Sequence, residues 1–375
     1  MSYRIILSII VPVYNAAAYL DRFMDGFMSG YDSETADGFE VILVDDGSTD
    51  ESPAKINDYA GRYPNVKVIH QKNAGPAAAR NAGLDAASGK WIWFADPDDE
   101  PAEGAVGKII ECVSHEADQA DHGRVQADIY IFDAYEHKGD KVSRWEHFDK
   151  AGVFADRTAI SAVQRQVLYP HLSPQDARIF RTQRFGAYDT PIAAPWDKVY
   201  RHDFLKCNDL RFPDKLRVLD DMFFNLRAFG AAGCVEYVKE PIYHYYRNLG
   251  SITASYKPDR IERDMEVFKA IESYISERSD KDHMTEHEAA ELLMAYCKRV
   301  VKSFAISLRL CLFNKNNPDS LTKKLKWVKK VLSLDIYRKA FLAVRYADLE
   351  WKLKPVVFMG RRKMAFGLYL LAGMR

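Results

Sequence analysis

Short apolar runs rich in β-branched residues recur through the first 135 positions, at 5–13, 41–44, 66–69, 91–95 and 129–132. Runs this short and this little interrupted by polar residues suit strands buried on both faces. Between them lie helix-like segments at 16–28, 50–62 and 76–87, the last opened by Gly75-Pro76 and closed near Gly89. Strand and helix alternating in this way predict an α/β fold around a mainly parallel, doubly wound, Rossmann-like sheet. Ligands of such sheets bind beyond the carboxyl ends of the strands. Those ends read Asn15, Asp45-Asp46 and Asp96. Residues 136–195 are less regular. Order returns from 196 to 246, with a helix expected around 220–229 and a strand around 233–238. Beyond about 258 the pattern is helical to the end, which places a boundary near 255–265 and divides the chain into 1–257 and 258–375.

Apolar residues make up 47% of the 375 positions and aromatics 13%, too many for a disordered chain. Cys112, Cys207, Cys234, Cys297 and Cys311 are odd in number, scattered and free of any CxxC or zinc spacing. That usage argues against structural disulfides and zinc and favours a reducing, cytoplasmic setting. The opening Met1-Ser2-Tyr3-Arg4 leads into a run too short and too β-branched for a signal peptide, so no export is expected. The formal net charge is zero, but from Lys298 onward nineteen Lys/Arg face four acids, an excess of fifteen positive charges.

Four stretches carry candidate chemistry. In Asp96-Pro97-Asp98-Asp99 three carboxylates follow a buried strand, and oxygen ligands so close together suit Mg²⁺ or Mn²⁺. Alone, the same residues also make an ordinary capping turn before the next helix. In Asp45-Asp46-Gly47-Ser48-Thr49-Asp50 a strand delivers two carboxylates able to accept from a base or ribose, while Ser48, Thr49 and Asp50 serve as caps. The alanine-rich Asn73–Gly83 stretch carries one cation, Arg80, suited equally to a phosphate and to one of the aspartates. Asp220-Asp221 opens a helix whose apolar positions bury, so one acid faces a cleft as a general base must. GxGxxG after the first strand and GxxxxGK[ST] are both missing, which weakens dinucleotide and P-loop readings.

Taken together, these stretches resemble the GT-A fold glycosyltransferases of family 2, the inverting enzymes of bacterial polysaccharide synthesis. Ser8-Ile9-Ile10-Val11-Pro12-Val13-Tyr14-Asn15 is similar to the family's opening strand, and Val44 to Asp50 to its uridine-binding turn. Asn73 to Gly83 resembles the NxGxxxARNxG segment, and Asp96-Pro97-Asp98 the DxD motif, with Pro97 where Ser or Ala is usual. Trp196-Asp197-Lys198-Val199-Tyr200-Arg201 is similar to WxKLYR, and Asp220 to Arg227 to EDxxFxxR, with Asp220 replacing Glu. Tyr245-Tyr246-Arg247 and Ser251-Ile252 resemble a final YYR…GSI element. The likeness spans roughly 5–255 and implies a nucleotide-binding part over 1–135 and an acceptor part over 136–257. It implies that Pro12, Tyr14, Asn15, Asp45, Asp46, Gly75, Arg80 and Asp96 hold a UDP-sugar, with Arg247 and Ser251 near its diphosphate. Asp98 or Asp99, with His244, would hold Mn²⁺ or Mg²⁺, and Trp196 and Lys198 would meet the acceptor. His244 has the alternative of a satisfied strand histidine. Asp221, helped by Asp220, would deprotonate a hydroxyl of a polysaccharide or lipid-linked glycan during hexosyl or N-acetylhexosaminyl transfer. The alternatives are a sugar-1-phosphate nucleotidyltransferase, which would carry a Gly-rich basic first turn where Tyr14-Asn15-Ala16 stands, and a non-catalytic sugar-nucleotide-binding scaffold.

The basic C-terminal third interleaves Lys323, Lys324, Lys326, Lys329 and Lys330 with Leu325, Trp327, Val328, Val331 and Leu332, and Arg361-Arg362-Lys363 precedes another apolar stretch. None of its apolar runs is long enough to span a bilayer. A basic, aromatic-bearing amphipathic helix suits the anionic inner face of a cell membrane, approached peripherally. A solvated bundle face or a homo-oligomer surface is the alternative. Nucleic acid is not expected, since no nucleic-acid module accompanies the charge.

Overall fold

The computed structural model describes residues 5–28, 38–120, 125–247, 256–280 and 284–373. Ten strands form one sheet: β1 Leu7–Val13, β2 Phe39–Asp45, β3 Val66–His70, β4 Trp91–Phe94, β5 Glu100–Pro101, β6 Ile129–Lys138, β7 Lys141–Trp145, β8 Gly152–Phe154, β9 Lys198–Arg201 and β10 Val235–Tyr246. Their order is β3-β2-β1-β4-β9-β6-β10-β5, with β7 on β6 and β8 on β10. The β3, β2, β1 and β4 neighbours are parallel, as the alternating pattern predicts. β9 runs antiparallel between β4 and β6, and β10 returns parallel to β6. The GT-A-type mixed sheet is therefore mainly parallel where the strand–helix rhythm was clear.

From β1 the chain steps outward through β2 to β3, then returns to place β4 on the other side of β1. That reversal makes a crevice beyond the carboxyl ends of β1 and β4, where sheets of this kind bind ligands. β1, β2 and β4 are buried along nearly their whole length, which is why they read as unbroken apolar runs. The helix Pro76–Ala86 lies so close to β1 that a Cβ on Gly83 would sit 2.3 Å from Ile10 Cγ2. The small residues of this stretch thus serve close packing.

β10 is twice as long as the pattern at 233–238 suggested, reaching Tyr246. Pro241, which removes a ladder donor, sits between two register shifts and is accommodated as an irregularity rather than as a strand end.

The chain forms two compact units: 1–163 with 179–215 and 220–247, and 248–375 with 164–178 and 216–219. The second unit takes in two segments that the sequence pattern had grouped with the first. It is helical, built around Arg260–Asp280 and Glu286–Ser307, followed by the shorter helices Leu321–Val331, Asp335–Ala343, Lys354–Arg361 and Ala365–Gly373. Thr285 and Glu288 form a reciprocal capping box at the start of the second long helix. No helix among the described residues is long and apolar enough to cross a membrane.

Candidate active site

At the carboxyl end of β1, Tyr14 stands 52% exposed, a ring face open to solvent. Asn15 beside it adopts φ 49°, a left-handed conformation Asn tolerates. Its side-chain oxygen accepts from the Thr49 N–H at 2.8 Å, and the Ala16 and Ala17 amides donate to Ser52 and Asp50. The β1 and β2 loops are stitched together by these bonds.

Asp45 ends β2, with Oδ1 accepting from the Ser48 N–H at 2.9 Å and Oδ2 at 3.0 Å from His70 Nδ1. Burial works against its charge, but the bonds from His70 and Ser48 prevail and hold it below the usual carboxylate range. Asp46 differs. Its Oδ1 accepts from Gln71 at 2.7 Å and Ala74 N–H at 2.8 Å, and its Oδ2 from Gly75 N–H at 2.9 Å. Asp46 is 2% exposed and clamps the 71–75 loop through these bonds. The clamp delivers Gly75, at φ 94°, as the residue before Pro76 and fixes where the helix Pro76–Ala86 begins.

One turn into that helix, Arg80 becomes the hub of the site. It is 5% exposed, with Nη2 2.8 Å from Asp96 Oδ1 and Nη1 3.4 Å from Asp220 and 3.1 Å from Asp221 Oδ1. The sequence left open a phosphate or an aspartate as partner; here three carboxylates share one guanidinium. Burial opposes the Arg80 charge, but Asp221, Asp96 and Asp220 more than offset it. The guanidinium lies 5.1 Å over the Phe212 ring, which stacks on Phe224 at 4.1 Å. Phe224 belongs to the helix Asp220–Ala231, so aromatic packing sets that helix against Arg80. Asn225 holds it further, accepting from Tyr200 at 2.7 Å and donating to Ala193 O at 2.9 Å.

Asp220 and Asp221 occupy the first turn of this helix. Asp221 Oδ1 is enclosed without a hydrogen-bond partner, while the side chain as a whole keeps 35% of its surface. Oδ1 is thus enclosed beside Arg80 while part of the side chain stays accessible. Burial raises Asp221 to about 7, with Asp220 and Asp96 adding to the rise and Arg80 and Lys198 opposing it. Burial also raises Asp220.

The Asp96–Asp99 turn follows β4 and is pinned to β10. The Tyr243 hydroxyl accepts from the Asp96 N–H at 2.8 Å and donates to its carbonyl at 3.2 Å. Asp99 Oδ1 accepts the Tyr246 N–H at 2.8 Å. Asp99 is 2% exposed, and burial with Asp96 nearby pushes it up to about 9. Asp98 is exposed, with its carbonyl fixed by Arg22 at 2.9 Å. Among the described residues no three His, Cys, Asp or Glu side chains are arranged to enclose a metal. Magnesium and manganese in such sites take one or two carboxylates and complete their shell with substrate phosphates. An exposed Asp98 at the rim of an acid-rich crevice fits a shared cation of that kind, whereas Asp99 is committed to the turn.

The remaining expected residues fall as follows. Pro12 is half-buried on β1. His244 Nδ1 lies 2.8 Å from His137 Nε2 and its ring stacks on Tyr135, and burial together with His137 pulls it below the ordinary histidine range. Arg247 is half exposed and pairs with Glu136 at 2.5 Å. Ser251 lies outside the described residues. Trp196 is 5% exposed, sandwiched on Tyr243 and Tyr245 at 5.0 and 5.3 Å. Lys198 is fully buried, donating to Asp197 and to Ala194 O. Trp196 and Lys198 are both buried, and the WxK stretch packs beneath the site. The Lys198 charge acts on Asp221 from beneath, and His147 completes the floor 2.8 Å from Asp197.

Sequence reasoning missed Tyr243, Phe212, Asn81 and the Asp197–His147 pair. Asn81 both donates to and accepts from the Phe212 backbone at 2.9 Å, setting the ring under Arg80. Asn81 stands beside Arg80 within a quoted motif and Asp197 beside Lys198 in another, so those two were within reach. Tyr243 carried no charge to mark it.

A mainly parallel sheet that gathers exposed Tyr14, a shared guanidinium and seven aspartates at its switch point defines a glycosyltransferase of GT-A fold. The chain matches the model of glycosyl transferase family 2 over residues 8–207, and it belongs to that family. It is 26% identical over 363 residues to the putative glycosyltransferase EpsH of Bacillus subtilis, covering 96% of this chain and 92% of that protein. It is 28% identical to the uncharacterized glycosyltransferase EpsJ of the same organism, covering 89% and 86%. Its fold is similar to S. aureus TarS 1-349 in complex with UDP-GlcNAc, at TM-score 0.65 and 20% identity, covering 98% of this chain and 91% of that one.

Proposed function

We propose that this glycosyltransferase moves a sugar, with inversion, from a UDP-sugar to a hydroxyl of a polysaccharide or lipid-linked glycan, with Asp221 as general base. The observation that carries this reading is the Asp221 carboxyl, with Oδ1 enclosed beside Arg80 while part of the side chain stays accessible. Tyr14 stacks on the base of the donor, Asp45 accepts from it, and Asp96 accepts from the ribose hydroxyls. Asp98 would hold a divalent cation, which when bound would neutralise charge on the leaving diphosphate. Arg80 keeps Asp220 and Asp221 in place, and Asp221 takes the proton from the attacking hydroxyl as it meets the anomeric carbon from the far side. The membrane-facing role belongs to the basic C-terminal helices, which we set against an anionic bilayer surface where a lipid-linked acceptor is held.

UDP with Mn²⁺ raises Tm if this reading holds, and a screen of UDP-sugars on the same readout identifies the donor. Asp221→Asn retains the UDP-dependent shift and loses transfer and donor hydrolysis. Absence of any UDP-dependent shift with metal present refutes the donor assignment.

A further inference from the structure

In the helical unit, the last helix, Ala365–Gly373, is apolar on every side: Ala365 and Leu368 are buried, yet Phe366, Tyr369 and Leu370 stand 57%, 37% and 48% exposed. Phe366, Tyr369 and Leu370 recur at the i, i+3, i+4 spacing of one helix face. The neighbouring helix Lys354–Arg361 packs against it at Gly367 and Met359 and adds Phe358 at 45% exposure, and Trp351 just before it is 73% exposed. Helix Leu321–Val331 packs along the same last helix and presents Trp327 among its lysines. Water-exposed apolar side chains in such number on adjoining helices mark an interaction surface.

Charge selects the partner. The Arg362 guanidinium lies 4.1 Å over Phe358 and the Lys352 ammonium 5.6 Å from Trp351, so aromatic bodies and cationic heads alternate along this surface. Beside the last helix a cavity of about 160 Å³ is lined by Leu371, Leu353, Val356, Arg309 and Lys352, and by Lys302, which pairs with Glu350 of the same wall at 3.1 Å. That is below the roughly 300 Å³ at which pockets for drug-sized ligands begin. Glu350 offsets Lys302, so Arg309 and Lys352 supply the net positive charge, and two cations over an apolar wall match a phosphate head joined to hydrocarbon. A second copy of the same surface would bring like charges together, whereas an anionic bilayer offers both the opposite charge and the apolar medium.

We propose that the Phe358, Phe366 and Leu370 face lies in the headgroup region of an anionic bilayer, with Arg309 and Lys352 of the cavity taking the phosphate of one lipid. The proposal rests on the membrane reading above and specifies which surface makes the contact and what it holds.

The test is co-sedimentation of the full chain with vesicles of phosphatidylcholine alone and with added phosphatidylglycerol. Phe366→Ser/Leu370→Ser removes the face and Arg309→Gln/Lys352→Gln the cavity charge; these side chains are solvent-exposed or line the cavity, and unchanged circular dichroism and an unchanged UDP-dependent thermal shift verify folding. The expected result is binding only to the anionic vesicles, reduced roughly tenfold or more by each double change. No binding of the wild type to anionic vesicles refutes the membrane reading as a whole. Binding that survives both double changes but is lost on replacing Lys323, Lys326 and Lys330 overturns the face and cavity alone. A concentration-dependent dimer that Phe366→Ser/Leu370→Ser dissolves assigns the face to a second copy and overturns the proposal.

Discussion

The pH dependence of transfer gives direct access to Asp221. Burial raises this carboxyl to about 7, against the partly compensating pull of Arg80 and Lys198. A base must be ionised to work, and kcat/KM reports the free enzyme. Between pH 8 and pH 6 the ionised fraction around a midpoint near 7 falls from about 0.9 to about 0.09, so kcat/KM drops about tenfold and then about tenfold per further unit. An ordinary aspartate would leave that range flat. The assay is donor hydrolysis or transfer, followed by UDP release from pH 5.5 to 8.5 in constant ionic strength. Asp221→Asn lowers the rate by about 10²–10⁴, the usual contribution of a general base. Lys198→Met removes the cation beneath the carboxyl and moves the acid limb to higher pH, provided the folded fraction is checked, because breaking a buried pair costs about 3–5 kcal/mol. A flat profile in the folded enzyme, or an Asn variant within tenfold of the wild type, refutes the assignment.

The same shift has a consequence for stability whose sign is fixed. The folded carboxyl holds its proton up to about pH 7, whereas the unfolded one releases it near 3.8. The folded state therefore binds more protons through that window, and stability from this group is present below about pH 4 and falls as pH rises to 7. Asp221→Asn escapes this loss, so its Tm advantage over the wild type is greater at pH 8 than at pH 5; an equal difference at both refutes the shift.

Three further substitutions separate the roles of neighbouring residues. Tyr14→Ala leaves Tm unchanged, because the ring is exposed, and weakens UDP binding about tenfold to a hundredfold by calorimetry, the worth of one base–aromatic stack. Asp46→Ala leaves the Ala74 and Gly75 amides and Gln71 without their acceptor and lowers stability by about 3 kcal/mol in urea unfolding, with a smaller loss of donor affinity if Arg80 shifts with its helix. Gly83→Ala drives a methyl into Ile10 and costs about 1–3 kcal/mol, read as a lower urea midpoint with an unchanged slope.

The parts of the site that were legible in the sequence share one property: each polar residue follows an apolar run that could only be a buried strand, or opens a helix. Asp45, Asp96 and Asp221 were found in that way, and the strand order then brings them to one crevice. What the pattern could not convey is which oxygen faces where. Asp45 and Asp46 are neighbours of the same type, yet one ends at His70 and Ser48 while the other closes a loop 25 to 29 residues away. Lys198 was expected to meet an acceptor and is enclosed, neutralised by the adjacent Asp197. The C-terminal charge was legible as an excess, but the apolar face beside it came only with packing, since Leu368 turns inward and Leu370 outward.

Arg80 explains why the acidic turn and the base helix behave as one site. Three carboxylates about one guanidinium leave an excess of negative charge, and the nearest further cation, Lys198, already neutralises Asp197. Such a cluster lowers its energy by holding a proton or by recruiting a cation, and burial, with Asp220 and Asp96 beside it, raises the Asp221 carboxyl to about 7. A donor whose ribose engages Asp96 would draw that carboxylate from Arg80 Nη2, leaving the guanidinium more fully to Asp220 and Asp221. That greater share of the Arg80 charge would favour the ionised form of Asp221. A lysine at position 80 would supply the charge without the fork that spans Asp96 on one side and Asp220 and Asp221 on the other.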